Sequence, residues 1–326
     1  MQKFYAAIDY GSNTTLLLVA RELENGRLTE ECELYRTTRL AAEMQETGVL
    51  NAEGVRKSLI ATNRFLKHLT HLKGEVRGIA VATSAVREAK ENQDFLAAIR
   101  EVLGKAPVVF TGCEEAETTF LGASTVAEEN QPCLTIDIGG GSSEIGAGSS
   151  DGCLLAKSIK LGCVGVSQQY NLNQSFSSAD LEVAAASANK LLGTEIDNAE
   201  KVFTARVRRE CLELIVSGGT ATTLGAYYLG LEDYDAKKVH GLNISADFVD
   251  KSLAKLSRLS VAERAELAGI TAARAPVFPG GLIILRELLR LLNIKTFKVS
   301  TRGLRFGLVQ RLHLGQLEPT FILNNQ

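Results

Sequence analysis

The sequence predicts a two-domain α/β protein. Its 326 residues exceed what a single hydrophobic core usually supports. Segments with the period of strands alternate with amphipathic segments of helical period along the whole chain. A strand–loop–strand pattern near the N-terminus also recurs near the middle of the chain. Length, alternation and repetition together favour two related α/β domains over an all-α or an all-β protein.

The first half of the chain opens with two predicted strands around a tight glycine turn, at residues 4–9 and 15–21. A long amphipathic helix is predicted over 51–73, because Asn51 can cap its start and Gly74 can end it. The elements predicted after it are a strand at 76–83, a helix at 92–104, a strand at 108–111 and a helix from Glu114. This order is typical of an α/β domain.

The same alternation starts again in the second half of the chain. The predicted strands are 133–137, 143–147, 154–159, 214–217 and 296–300. The predicted helices are 177–192, 221–229, 245–259, 280–293 and 303–313. The first of these helices begins with a pattern that resembles a capping box, which supports its assigned start.

Composition predicts a soluble, cytoplasmic protein that binds neither nucleic acid nor membrane. The formal net charge is −2, whereas nucleic-acid-binding domains usually carry a large basic excess. The six cysteines are scattered without a C-x-x-C pair, as expected for reduced thiols in the cytoplasm. Asp9 interrupts the apolar N-terminal run, and no run reaches the length of a membrane-spanning helix.

The repeated element is an aspartate followed by a glycine-rich loop. Residues 8–14 (IDYGSNT) match residues 136–142 (IDIGGGS). Glycine allows several backbone N–H groups to converge on phosphate oxygens. The candidate phosphate-binding residues of the first loop are Gly11, Ser12, Asn13 and Thr14, and those of the second loop are Gly139, Gly140, Gly141 and Ser142. The alternative is a pair of ordinary β-hairpins whose aspartates cap the turns.

Asp9 and Asp137, the aspartates of the two loops, cannot bind phosphate directly. We expect them to hold Mg²⁺ through water, since this ion keeps much of its hydration shell. Glu144, just after the second loop, is a further candidate for binding the metal or orienting water. A third loop, formed by Gly218, Gly219 and Thr220, leads from a strand into a helix, whose N-terminus favours an anion.

Arg87, Glu114 and Glu115 are the remaining candidates for chemistry. Arg87 follows a predicted strand and offers a planar fork for phosphate oxygens, although a surface arginine is the simpler interpretation. The two glutamates begin a predicted helix, where they can merely complement its dipole, or one can deprotonate the attacking water. Motifs of Walker-type NTPases, serine esterases and zinc proteases are absent from the sequence.

These motifs together resemble the exopolyphosphatase/guanosine pentaphosphate phosphohydrolase (Ppx/GppA) family of the actin/hexokinase/Hsp70 superfamily, over nearly the whole chain. The resemblance is carried by residues 9–14 (DYGSNT), 83–87 (TSAVR), 112–116 (GCEEA), 136–144 (IDIGGGSSE), 162–164 (GCV), 217–220 (SGGT) and 303–305 (GLR). It implies a two-domain actin-like α/β fold with an interdomain active-site cleft. The implied lobes are residues 1–120 and 121–308, with a closing helix at about 309–326 able to pack back on the first.

The resemblance also implies roles for individual residues. Glu115 matches the general base and Arg87 the residue that grips the scissile phosphate, while Asp137, Glu144 and Asp9 match the metal site. The cofactor is expected to be Mg²⁺, with Mn²⁺ as the alternative, and the protein is expected to form a homodimer. The implied reaction is in-line attack of water on the terminal phosphorus of polyphosphate. Guanosine pentaphosphate is the alternative substrate, and a kinase or an ATP-binding assembly protein of the same fold is a remoter alternative.

Two departures from the family pattern concern Thr301 and Phe306, which stand where acidic residues are often found in the family. Any role of those acids is therefore not carried over to this chain. The chain ends soon after the predicted second domain, so we expect it to be a short form without the HD-like C-terminal domain of longer relatives. A preference for shorter polyphosphate chains is the hypothesis that follows from the short form.

Overall fold

The computed structural model describes residues 1–42, 44–149, 151–203 and 213–325. The chain divides into two compact units: unit 1 comprises Met1–Thr118 and Leu304–Gln326, and unit 2 comprises Thr119–Gly303. These boundaries lie a few residues from those predicted at 120 and 308. No helix among the described residues combines the length and apolarity needed to cross a membrane.

Unit 1 is built on a six-stranded sheet. Its strands are β1 (Lys3–Tyr10), β2 (Thr14–Glu22), β3 (Leu28–Thr37), β4 (Gly74–Ala82), β5 (Val108–Val109) and β12 (Phe321–Asn325). The first three form an antiparallel meander, β4 runs parallel to β1, and β5 runs parallel to β4. Strand β1 is buried from Phe4 to Tyr10, as expected for a central strand covered on both faces.

Helices cover both faces of this sheet. They are α1 (Met44–Thr47), α2 (Ala52–Leu69), α3 (Ser84–Glu88), α4 (Gln93–Leu103), the first part of α5 (Gly112–Ala123) and α13 (Leu304–His313). On one face Phe65 and Ile99 of α2 and α4 join the core, and on the other face Leu308 of α13 does so. The side chain of Asn51 accepts a hydrogen bond from the N–H of Gly54, which confirms the predicted cap of α2.

The end of the chain differs from the predicted closing helix at about 309–326, which is wrong for its second half. Helix α13 begins at Leu304 and ends at His313, and strand β12 then pairs antiparallel with β4. The Phe321 ring lies where a side chain at Gly78 would stand, so the missing side chain on β4 admits the ring. Burying this ring stabilises the pairing by about 1.5–3 kcal/mol, and Thr320 Oγ1 accepts a hydrogen bond of 2.8 Å from Ala80 N.

Unit 2 repeats the topology of unit 1. Its strands are β6 (Cys133–Ile138), β7 (Ser143–Ser149), β8 (Gly152–Ile159), β9 (Glu213–Ser217), β10 (Asn243–Ser245) and β11 (Thr296–Val299). The sheet order β8-β7-β6-β9 corresponds to β3-β2-β1-β4 of unit 1, with the same antiparallel meander and the same parallel fourth strand. The duplicated α/β topology confirms the fold class predicted from the repeat.

The helices of unit 2 pack around one long buried helix. They are α6 (Cys163–Gln169), α7 (Ser178–Phe203), α8 (Gly218–Leu229), α9 (Ala236–Val239), α10 (Ala246–Leu256), α11 (Val261–Ala265) and α12 (Phe278–Leu291). Every residue of α12 from Phe278 to Leu289 is buried, and the charges of Arg286 and Glu287 pair at 2.8 Å. The apolar core of unit 2 therefore surrounds α12 on all sides.

Candidate active site

The first and second loops share a backbone hydrogen bond, and each lies at the end of the first strand of its unit. The N–H of Gly11 donates to the carbonyl of Thr14 at 3.1 Å, and the N–H of Gly139 donates to that of Ser142 at 2.9 Å. The loops therefore repeat in hydrogen bonding as well as in sequence.

In the second loop the carbonyls of Gly139 and Gly140 accept backbone hydrogen bonds, whereas the N–H groups of Gly140 and Gly141 donate none to the described residues. The first two residues of α6, Cys163 and Val164, donate their N–H groups to the carbonyls of Gly139 and Gly140, at 2.9 and 3.0 Å. Within the described part of the chain, no backbone carbonyl accepts from Gly140 or Gly141. Two N–H groups in succession without a backbone partner are suited to phosphate oxygens.

Gly162 is what lets α6 approach the second loop so closely. A Cβ at this position would lie less than 3.0 Å from the carbonyl group of Gly140 and from Gly141. The side chain of any other residue would have to displace the backbone of the loop, which yields less readily than the end of a flexible side chain. Gly162, which lies outside the second loop, is therefore required for the observed backbone conformation of that loop.

Asp137 and Glu144 form a pair of carboxylates on neighbouring strands. They stand directly opposite each other in the antiparallel pairing of β6 and β7, so both side chains lie on one face of the sheet. Ser217 Oγ donates to Asp137 Oδ2 at 2.6 Å, and Ser158 Oγ donates to Glu144 Oε1 at 2.8 Å. Glu144 is only 4% exposed. Two carboxylates held in this way repel each other unless a cation or a proton lies between them.

The matching position in unit 1 lacks this pair. Asp9 stands opposite Leu16 in the pairing of β1 and β2. Asp9 is itself buried at the end of β1, with 8% exposure. Of the two repeats, the copy in unit 2 is therefore the one whose strand pair presents two carboxylates.

These two carboxylates suit a divalent cation that keeps most of its own water. Among the described residues, no group of three or more His, Cys, Asp or Glu residues could hold a metal ion. Mg²⁺ is usually bound through one or two carboxylates, with water and substrate phosphates completing its shell. Asp137 and Glu144 thus fit the expected cofactor in number and in ligand chemistry.

The third loop begins helix α8 against the same aspartate. Gly218 has φ of 81°, and a Cβ on it would lie 2.5 Å from Asp137 Oδ1, so glycine is required on both counts. The guanidinium of Arg274 occupies the space where a side chain of Gly219 would be. Within the part of the chain that the structure describes, this guanidinium forms neither a hydrogen bond nor an ion pair. A cation at a helix N-terminus that is not paired in this way favours an anion there.

Arg274 was not predicted as a site residue. It lies in the segment before α12, without a motif around it, and only the tertiary structure brings it to Gly219. Its charge also reaches the thiol of Cys163: burial raises the pKa of Cys163, Asp137 adds to the rise, and Arg274 opposes it. The second loop, the third loop, Asp137 and Arg274 are therefore neighbours within unit 2.

Unit 1 brings Arg87 and Glu115 together. Arg87, in the short helix after β4, donates through Nη1 to Glu115 Oε2 at 2.8 Å and to the carbonyl of Phe110 at 3.0 Å. Glu115 lies in the first turn of α5 and is 7% exposed. An arginine that is fixed at one nitrogen while the rest of its fork stays partly exposed can still bind a phosphate oxygen.

Glu114 has a different role from its neighbour. Its Oε2 accepts hydrogen bonds from the backbone N–H and the hydroxyl of Thr111, at 2.8 and 2.7 Å. The backbone N–H of Glu114 in turn donates to that hydroxyl at 3.2 Å. These bonds cap helix α5 and lower the pKa of Glu114. The structure thus assigns the capping role to Glu114, and Glu115 is the glutamate that pairs with Arg87.

The two departures from the family pattern have structural partners. Thr301 donates its backbone N–H to His240 Nδ1 at 3.2 Å, and Phe306 packs against the apolar cluster around Leu308. Between them, Gly303 lies against the aspartate of the second loop, because a Cβ there would be 3.1 Å from Asp137 Oδ2. The backbone of Gly303 therefore lies close to Asp137.

Comparison with known proteins gives consistent matches. A model of the Ppx/GppA phosphatase family matches residues 18–315. The chain is 29% identical over 317 residues to guanosine-5'-triphosphate,3'-diphosphate pyrophosphatase of Aliivibrio fischeri, covering 94% of this chain but only 59% of that protein. It is 30% identical over 294 residues to exopolyphosphatase 2 of Mycobacterium tuberculosis, covering 87% of this chain and 89% of that protein. The crystal structure of the Aquifex aeolicus member of the Ppx/GppA family is similar with a TM-score of 0.78 and 25% identity, covering 98% of this chain and 100% of that one.

Proposed function

Because the chain belongs to the Ppx/GppA phosphatase family, we propose that it hydrolyses the terminal phosphoanhydride bond of inorganic polyphosphate and releases orthophosphate. The contact between Arg87 and Glu115 is the observation that supports this most directly. It joins a buried carboxylate, which can accept a proton from water, to a cation that can bind the phosphate under attack. A kinase would need a site for an acceptor molecule instead of an activated water.

Guanosine pentaphosphate is the second candidate substrate. It is favoured by the similarity to the Aliivibrio fischeri enzyme, whose name specifies a guanosine phosphate substrate. The chain spans 59% of that relative but 89% of the exopolyphosphatase of Mycobacterium tuberculosis, which is why polyphosphate is placed first. The residues proposed for catalysis would be the same for both substrates.

In the proposed reaction, the residues of unit 1 act on the attacking water and the terminal phosphate. Glu115 takes a proton from the water as its oxygen attacks the terminal phosphorus. Arg87 donates hydrogen bonds to the oxygens of the phosphate that is transferred. The bond between this phosphorus and the bridging oxygen breaks, and the shortened chain leaves with the bridging oxygen. The first loop, Gly11 to Thr14, would bind phosphate oxygens through its hydroxyl groups and through N–H groups other than that of Gly11, which donates to the carbonyl of Thr14.

In unit 2, the second and third loops would bind phosphate groups of the substrate, with Arg274 adding a positive charge at Gly219. Asp137 and Glu144 would hold Mg²⁺, with Mn²⁺ as an alternative, and Asp9 is proposed as a further carboxylate for the cation. When bound, the ion would offset negative charge on the phosphate oxygens. Ser217 and Ser158 fix the orientation of the first two carboxylates through their hydroxyl groups.

The state of the cysteines bears on the compartment in which the protein works. Cys32, Cys113, Cys133, Cys153 and Cys163 are all free thiols, which suits a reducing compartment such as the cytoplasm. The sixth cysteine, Cys211, lies outside the described residues. We infer a cytoplasmic location, which cell fractionation can check. The homodimer stays a prediction, for which sedimentation equilibrium is the test.

The activity is tested by measuring orthophosphate release with Mg²⁺ from polyphosphates of defined length and from guanosine pentaphosphate. We expect release from at least one of them, and the ratio of the kcat/KM values identifies the preferred substrate. Faster turnover of short polyphosphates than of long ones would support the predicted preference for shorter chains. If the folded protein releases phosphate from neither substrate, the proposal is wrong, and ATP binding with an assay for filament formation becomes the next experiment.

Gly162→Ala tests the phosphate-binding role of the second loop. The added methyl group meets the backbone of Gly140, and such overpacking lowers the free energy of unfolding by about 1–3 kcal/mol. Displacing the loop N–H groups is expected to lower kcat/KM at least about tenfold, since charge-assisted hydrogen bonds are lost. Denaturant unfolding and phosphate release would be measured on the same preparation.

Gly193→Ala is the matched control for this change. Gly193 lies in α7, and a Cβ there would meet only Leu291 Cδ2 at 3.9 Å. The substitution should stabilise the helix by up to about 1 kcal/mol and leave kcat/KM unchanged. A Gly162→Ala variant with the kcat/KM of the wild type would mean that the second loop does not bind the substrate.

A further inference from the structure

The segment that follows β3 is hydrogen-bonded directly to the first loop. Thr38 and Arg39 both donate their backbone N–H groups to the carbonyl of Asn13, each at 3.0 Å. The N–H of Ala41 donates to the carbonyl of Ser12, also at 3.0 Å. The position of Arg39 is therefore fixed relative to the loop that is proposed to bind phosphate.

Arg39 has an unusual backbone conformation. Its φ is 57°, in the left-handed region. The other non-glycine residues with positive φ in the described part of the chain are Asn130, Asn171 and Asn293. Asparagine tolerates this region because its short side chain can bond locally, whereas arginine gains no such compensation. A requirement for backbone shape alone would be met better by glycine or asparagine.

The backbone of Arg39 is packed against neighbouring residues, whereas its side chain is exposed to solvent. The neighbouring residues Thr38 and Leu40 are buried, with 1% and 0% exposure, whereas Arg39 is exposed. Its carbonyl accepts from Ala42 N at 3.0 Å and lies against Gly54, where a Cβ would be 2.9 Å away. The guanidinium forms no hydrogen bond or ion pair with any described residue, so contacts with the described residues of unit 1 do not explain why an arginine stands here.

We propose that Arg39 is a substrate-binding residue whose guanidinium contacts a phosphate group at the first loop, adjacent to the phosphate under attack. A guanidinium matches phosphate oxygens with two parallel hydrogen bonds, and a fixed backbone reduces the entropy lost on binding. Unfavourable backbone conformations of this kind are found where function requires a particular side chain. The assignment rests on the proposed function, because it takes a polyphosphate-like anion as the ligand.

Three variants separate binding from backbone effects. Arg39→Gly removes the side chain and relieves the backbone at φ of 57°, so the midpoint of thermal unfolding should stay or rise. KM for polyphosphate should nevertheless rise about 5- to 30-fold, with kcat nearly unchanged. Arg39→Gln should raise KM to the same extent, and Arg39→Lys less, because lysine keeps the charge but not the planar fork.

Two control variants make comparable substitutions at other positions of the chain. Asn171→Gly relieves an exposed residue with φ of 52°, and Arg64→Gln removes an exposed positive charge from α2. Neither should alter KM. Calorimetric titration of tripolyphosphate gives a readout independent of turnover, and its Kd should rise in Arg39→Gly and not in the controls.

The outcomes separate the two proposals. If the wild type releases phosphate but KM and the tripolyphosphate Kd of Arg39→Gly equal those of the wild type, Arg39 does not bind substrate. A KM that rises equally in Arg64→Gln would mean that the general charge of unit 1 is responsible, which also contradicts the assignment. Absence of phosphate release from the wild type would instead contradict the proposed function itself.

Discussion

Glu115→Gln is expected to lower kcat for phosphate release by about 10²- to 10⁴-fold, which is the usual contribution of a general base. Glutamine has nearly the same shape and can still accept a hydrogen bond from Arg87, whose Nη1 lies 2.8 Å from the carboxylate. It cannot take up the proton of the attacking water. Single-turnover measurements at saturating substrate would separate this effect from a change in binding, because the bound state should still form.

Glu114→Gln provides the control, since it alters the neighbouring glutamate. Its carboxylate caps α5 through Thr111, and weakening this cap should lower the free energy of unfolding by about 0.5–1 kcal/mol with kcat within about twofold of the wild type. Because the folded protein lowers the pKa of Glu114, the stabilisation is present at neutral pH and is lost as the pH falls through that pKa. Equal losses of kcat in both variants, or full activity in Glu115→Gln, would show that the base is assigned to the wrong residue.

Much of the fold could be predicted because its signals are local. The alternation of strands and helices and the repeat of residues 8–14 at 136–142 are visible in the sequence, and both correspond to the duplicated sheet topology. Strand β12 was harder to predict, because five residues near a chain end have little periodicity. Its pairing with β4 depends on Gly78, which is far from β12 in the sequence and whose missing side chain leaves space for the Phe321 ring.

The candidate site could be predicted only where a motif marks it. The glycine loops, Arg87 and Glu115 lie in short motifs, and the structure places Arg87 and Glu115 in contact. The different roles of Glu114 and Glu115 are not visible from the sequence, since both stand in the first turn of one helix. Arg274 and Arg39 carry no local signal at all, and their relevance follows from a neighbour in space and from a backbone angle.

The carboxylate pair in unit 2 leads to the second large expected effect, in Asp137→Asn. We expect kcat to fall about 10²- to 10³-fold, as when a group that positions charge at the reacting phosphate is lost. In the absence of metal, the variant should be at least as stable as the wild type, because neutralising one of two opposing carboxylates, Asp137 and Glu144, relieves their repulsion. The substitution thus separates activity from stability.

Metal-dependent stability provides the decisive measurement. A cation that binds the folded wild type stabilises it by about 2.7 kcal/mol at 100 times its Kd, and Asp137→Asn should lose most of this gain with both Mg²⁺ and Mn²⁺. Asp9→Asn is the matched comparison, because it removes the aspartate of the first loop, which stands opposite Leu16 and not opposite a second carboxylate. It should therefore not raise stability without metal. An unchanged metal effect in Asp137→Asn would place the cation elsewhere, whereas a gain in metal-free stability in both variants would mean that burial of each aspartate, not the opposition of two carboxylates, causes the strain.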